Sequence, residues 1–306
     1  MPRIIEANGL RADNPLGFMA ALGIMQVARR VEKLPAVKLY WCPFGSSYAA
    51  RFQVATDLAD EDFLKALISD LSNANGRAEF LWAPAIKSVK QPQFREVLMQ
   101  ADDALAEWLS AFASELAKDD EDFVEATPLD MSVSAQKFLD GAFKLGTSLG
   151  RSKGKRGPTT FDSYEEAVFG PWKYEDDQHS LGWDPSTLKM GAFTFKAPTA
   201  LANTGVRAAV WLAIESLPYF QCAYEGGLAT TAWHVKKGTS EFRWPIWNEP
   251  SGHEVIQAML GWSELVSAEP DRGEMAARGI SAIFGSAKVK PNKYLVTLRQ
   301  TRLVAA

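Results

Sequence analysis

Cysteine is scarce: Cys42 and Cys222 are the two in 306 residues, and they stand far apart. That count excludes a disulfide framework, and the spacing excludes a cysteine-based metal site, as expected in a reducing compartment. Histidine is scarce too. His179, His234 and His253 show no i, i+3 or i+4 spacing to one another or to a cysteine. A zinc site of familiar spacing is therefore not expected. G-x-S-x-G, G-x-x-x-x-G-K-[ST] and G-x-G-x-x-G are absent, and the lack of a phosphate loop argues against a P-loop motor. No uncharged apolar run approaches the roughly 20 residues of a membrane span. Net positive charge is missing as well. The balance is -4, so nucleic-acid binding would need a local patch. Met1-Pro2-Arg3 leads into mixed residues with no apolar signal region. The expectation is a soluble, cytoplasmic protein without metal or cofactor.

What is present begins with a packing signature. Asn14 can cap a helix, and Pro15 suits its first position because the missing N–H would have had no partner there. Gly17, Ala20, Ala21 and Gly23 then leave little side chain on that helix. Glycine costs about 1 kcal/mol against alanine in a helix, so two of them point to close approach of another backbone. Hydrophobic residues make up 47% of the chain, enough for a substantial core. The ten tryptophans read as core and cross-strand packing.

Along the chain, the pattern predicts a helix over 15–31 and strands over 38–42 and 50–54. A helix over 60–71 and a strand over 79–82 follow. After Pro92 the apolar residues Phe94, Val97, Leu98, Leu105, Trp108, Leu109, Phe112 and Leu116 recur at three and four, with Ala101 in the gap. That spacing predicts one long helix, ending in the acidic connector 118–122. Further helices are expected over 134–149, from Asn203 or Thr204 to Leu217, near 252–266 and over 273–284. Strands are expected over 192–196 and 294–298, with a hairpin of 229–235 and 241–247. The class is α+β, antiparallel hairpins with blocks of packed helices. The chain divides into α+β lobes over 1–130 and 131–306, or forms one compact domain.

Four cations fall within six residues at Arg151, Lys153, Lys155 and Arg156, in a Gly/Pro-flanked loop. Such a loop can follow an irregular phosphate backbone, with binding that weakens steeply with salt. Lys236 and Lys237 form a second group, and Lys288, Lys290 and Lys293 a third, with Arg299 and Arg302 close behind. Met on one face, they would give an acidic protein a basic groove. The first two groups also have a plainer reading, as a solvated loop and a solvated hairpin turn. Asp176 and Asp177 beside His179 read as an exposed turn.

The opening Asn14-Pro15-Leu16-Gly17-Phe18-Met19-Ala20-Ala21-Leu22-Gly23 resembles the amino-terminal signature of CRISPR-associated proteins from type I effector systems. It is similar to the type I-G group (formerly I-U), in its large-subunit-like and accessory Csb-type families, where a short strand leads to an asparagine–proline helix start. Ser134 to Leu139, Trp183-Asp184-Pro185 with Ala200 to Phe220, and Phe284 to Val289 up to Arg302-Leu303-Val304 resemble later parts of that group. The likeness covers the chain end to end. It implies a non-enzymatic subunit of an RNA-guided antiviral surveillance complex. Its partners would be other CRISPR-associated subunits and guide RNA or target DNA. No family catalytic residue carries over. Guide pairing would read the target while the protein holds backbone or displaced strand. Two other readings stay open: a metal-dependent nuclease of unrecognised type, and an interaction or structural subunit that touches no nucleic acid.

Overall fold

The computed structural model describes residues 2–71, 77–133, 136–150, 158–177, 180–186, 204–236, 238–293 and 295–306. Strand β1 (Arg3–Arg11) leads straight into helix α1 (Pro15–Arg30). Strands β2 (Lys38–Phe44) and β3 (Ser47–Val54) complete an antiparallel sheet of order β1-β3-β2. β1 pairs with β3 from Arg3↔Val54 to Ala7↔Ala50, then shifts register before Arg11↔Ala49. This irregularity lifts Asn8–Leu10 off the ladder. Helix α2 (Asp60–Ser69) carries Asp60, Glu61 and Asp62 in its first turn, where the helix dipole favours acids.

Every residue of α1 from Pro15 to Ala28 is buried, as a helix apolar on all sides requires. The predicted cap is present: the Asn14 side chain accepts from Leu16 N at 2.9 Å. So is the close backbone approach.

Three expectations are corrected in the next stretches. Residues 79–82 are not a strand; a 3-10 turn spans Ala78–Phe80, and Trp82 Nε1 donates back to Glu79 O at 3.0 Å. The long helix after Pro92 is two helices and a strand. Helix α3 (Gln91–Gln100) stops at an extended Ala101. Asp102 then caps α4 (Asp103–Phe112), accepting from Leu105 N at 2.8 Å. The apolar spacing continues through the break because both helices lean on one core. From Ala113 the chain is extended as β4 (Ala113–Lys118), paired with β5 (Val124–Ala126), and Leu116 is exposed.

Helix α5 (Phe138–Gly150) and α6 (Thr160–Phe169) follow. The expected strand over 192–196, Asn203 and the basic loop over 151–156 lie outside the described residues. Helix α7 (Arg207–Glu215) packs along α1. Strands β6 (Cys222–Tyr224) and β7 (Leu228–Thr230) form a small hairpin. The hairpin expected around 236–239 is β8 (Trp233–Lys236) and β9 (Thr239–Trp247). Helix α8 (His253–Leu260) is next, then α9 (Arg272–Ala277). The helix expected over 273–284 ends there. Gly279, at φ 70°, turns the chain, and Ile280 begins strand β10 (Ile280–Asn292). Strands β11 (Leu295–Leu298) and β12 (Arg302–Ala305) both pair with β10, in a sheet of order β11-β10-β9-β8. The architecture is α+β with antiparallel sheets.

The buried apolar side chains form a continuous cluster from Ile5 to Leu298, drawing on both expected lobes. Trp244 and Trp247 of β9 reach across to donate to the carbonyls of Ala12 and Leu39, at 2.9 and 2.7 Å. Eight of the ten tryptophans are buried. Trp82 and Trp172 are half-buried, and Trp172 has a particular position. No helix among the described residues is long and apolar enough to cross a membrane.

Candidate functional site

The lifted end of β1 borders a cleft of about 460 Å³ beside the start of α1. Its walls come from five places in the chain: Asn8, Arg11 and Asp13; Phe44 at the end of β2; Trp172 and Tyr174 after α6; Ser186; and Gln300 with Thr301 before β12. Three rings stand among a majority of polar and charged side chains.

Local chemistry places each wall. At Gly9 a Cβ would stand 2.6 Å from Ala167 O and 2.9 Å from Gly170 N, so glycine lets the end of α6 lie on β1. Trp172 Nε1 donates to Ala167 O at 3.0 Å, which pins the indole at the cleft wall. Tyr174 crosses it edge-on, with ring centroids 6.1 Å apart. Tyr174 sits at φ 58°, a left-handed conformation that costs a non-glycine residue about 1–2 kcal/mol. Its hydroxyl is tied to the buried Asp184. Asp184 also accepts from Asn14 Nδ2 at 3.0 Å and from Ser186 N at 2.9 Å. Burial raises the Asp184 carboxyl, and these hydrogen bonds oppose the rise. Burial, then the Asp184 charge, raises the Tyr174 hydroxyl. One buried carboxylate thus joins the α1 cap to the opposite wall.

On the open side, the Arg11 guanidinium lies over the Phe44 ring, 5.0 Å from its centroid. Arg11 Nε is 3.5 Å from Asp13 Oδ1. Such a cation–ring pair leaves the N–H edge of Arg11 available for an acceptor. At the helix end, Asn14 takes up the N–H of Leu16 with its side chain and that of Phe18 with its carbonyl.

The lysines predicted from sequence lie elsewhere. The β8–β9 turn and the end of β10 share one end of the five-stranded sheet, because Glu241 pairs with Ala287 and Lys236 with Thr239. Lys236, Lys290 and Lys293 are exposed there. Lys288 is differently placed. Its Nζ donates to Pro128 O at 2.6 Å and faces the Trp233 ring, 5.8 Å from the centroid. Burial, aided by Lys87, lowers it to about 8, against the pull of Asp130. Arg302 is held on the buried Glu241 at 2.8 Å, which also pairs with Arg243. Arg151, Lys153, Lys155, Arg156, Lys237 and His179 lie outside the described residues. Asp176 does structural work: Arg207 N donates to its Oδ2 at 3.0 Å at the start of α7. Among the described residues no group of three or more His, Cys, Asp or Glu stands ready to hold a metal ion.

Lys288 gives a pH prediction. Its folded pKa of about 8 is below the ordinary 10.5, so between these values the unfolded chain holds more protons. Stability from this group therefore rises as pH rises from about 8 toward 10.5. Urea unfolding from pH 7 to 10.5 should show that rise in the wild type and a flatter profile in Lys288→Met. Parallel profiles for the two proteins would refute the assignment.

Sequence reasoning missed Arg11, Phe44, Trp172 and Tyr174. The available signal was two aromatics, Trp172 and Tyr174, two positions apart just after Gly170-Pro171. No protein-family model matches the chain, and no curated protein matches it.

Proposed function

We propose that this chain is a non-catalytic, nucleic-acid-contacting subunit of a CRISPR type I surveillance complex, working in the cytoplasm with other CRISPR-associated subunits and with guide RNA or target DNA. The observation that carries it is the cleft, lined by a guanidinium stacked on a phenylalanine ring, a half-buried tryptophan, and amide and hydroxyl groups. Unpaired bases stack on such rings whatever their sequence, and arginine adds charge. The exposed lysines at the sheet end and the basic residues Arg151, Lys153, Lys155 and Arg156 supply further phosphate contacts. The family resemblance supports the same reading. Three of the segments that carry it, around Asn14, Asp184 and Arg302, adjoin this cleft.

The test is fluorescence anisotropy with labelled single-stranded RNA over a salt series. Phe44→Ala should weaken binding roughly tenfold, the scale of one stacked base. Arg11→Ala should flatten the log K against log salt slope by about 0.7, and the quadruple alanine variant of 151, 153, 155 and 156 by about 3. RNA binding unaltered in all three proteins, or cleavage of the strand with magnesium or manganese, would overturn the proposal.

A further inference from the structure

We propose that the cleft seats one unpaired guanine of a nucleic-acid strand, with Asp13 and Arg11 together reading its Watson–Crick edge. The inference rests on the reading of the cleft as a nucleic-acid site and adds the base it selects.

The starting point is a carboxylate where a backbone-binding site would not want one. Asp13 lines the cleft, its side chain 43% exposed, beside the arginine that stacks on Phe44. A carboxylate repels phosphate, so it opposes a site that only tracks the backbone. Ionised, it accepts hydrogen bonds and donates none. It therefore favours a partner that shows it donors.

Among the four bases, guanine alone presents two neighbouring donors, N1–H and the N2 amino group, on its Watson–Crick edge. Both oxygens of one carboxylate can accept from that pair. Adenine, cytosine and uracil each show one donor beside acceptors, which leaves a lone pair facing a lone pair. The next atom along the guanine edge is the O6 acceptor. Arg11 is the next group along the cleft, its Nε 3.5 Å from Asp13 Oδ1. The two are ion-paired at that separation, which holds them side by side along the cleft, and the second Asp13 oxygen and the guanidinium Nη groups are outside that contact. The order acceptor, acceptor, donor on the protein thus matches donor, donor, acceptor on the base. Phe44 already holds the guanidinium plane, which fixes the direction of its N–H groups. Trp172 offers a ring for the base face.

The experiment compares four labelled RNAs of equal length: oligouridine, and the same strand with one central guanosine, inosine or adenosine. Guanosine should tighten binding by the wild type roughly tenfold over oligouridine, the scale of one bidentate base contact. Inosine, which keeps N1–H and O6 but lacks the 2-amino group, should lose most of that gain, and adenosine should show none. Asp13→Asn should abolish the guanosine preference, so that the guanosine strand binds it no tighter than oligouridine does. Asp13 is exposed, and an unchanged melting curve checks that the variant folds. Equal wild-type affinity for all four strands, with salt-sensitive oligouridine binding intact, overturns the guanine assignment and leaves the nucleic-acid reading standing. Failure of every strand to bind overturns both. Tighter binding of free guanosine monophosphate than of the guanosine-containing strand overturns the strand as the source of the base.

Discussion

Replacing Glu215 by alanine is expected to lower the unfolding free energy by about 3–5 kcal/mol, the cost of leaving buried charges without their partner. Glu215 is fully buried at the end of α7. Arg30 donates to its Oε2 at 2.7 Å, and Arg77 binds both its oxygens. Arg30 also grips Asp70 at 2.6 Å, and Arg77 lies among the rings of Phe80, Trp108 and Trp211. Burial alone would drive the Glu215 carboxyl up, but Arg77 and then Arg30 outweigh it and hold it below its ordinary value. A carboxyl with a lowered folded pKa stabilises above its unfolded pKa, and that contribution is lost as pH falls through the folded one. Urea unfolding at neutral pH measures the loss. The double variant Glu215→Ala/Arg77→Met should recover part of it, because fewer charges are stranded. A loss below about 1 kcal/mol, the scale of an exposed pair, would show that the network is not closed to water.

Adding a single methyl group at Gly23 should cost about 1–3 kcal/mol, even though alanine is the better helix former by about 1 kcal/mol. The new Cβ would stand 1.7 Å from the carbonyl oxygen of Leu212. That atom is backbone on α7, so it cannot rotate aside, and the two helices must part. Their contact is among the most extensive in the molecule, and the aromatic groups around Phe18 depend on it. Gly141 on α5 is the control. Nothing lies within 4 Å of its added Cβ, so Gly141→Ala should stabilise by up to about 1 kcal/mol. Thermal melts of both variants decide the point. Equal shifts would mean that helix propensity, and not backbone contact, governs both sites.

The contrast between these glycines shows what was legible. Two glycines in a capped apolar helix announce close approach, and Asn14 announces the cap. Neither says which backbone arrives. The helix expected over 94–116 shows the opposite limit. Apolar spacing ran on unbroken while Asp102 restarted the helix and Ala113 left it for a strand. Caps and pairing partners decided those boundaries, and a strand partner such as β5 leaves no trace in the spacing of β4. Ile280–Phe284 misled in the same way, since a short apolar run fits either period until β9 is seen beside it. Among the basic groups, Lys288 looked like its neighbours in sequence, yet its ammonium is spent on a carbonyl of the loop before α5.

By itself, the sequence determined the α+β class, the capped and buried first helix and the hairpin around residues 236–239. These rest on caps, turns and periodicities that act within a few residues of chain. The cleft was decided by tertiary structure alone. Asn14 and Asp184 meet across 170 residues, and Phe44, Trp172 and Thr301 come from three further segments. Each is an ordinary residue in its own neighbourhood. Their chemistry exists because a shifted strand register, a glycine under the end of α6 and one buried carboxylate bring them to the same place.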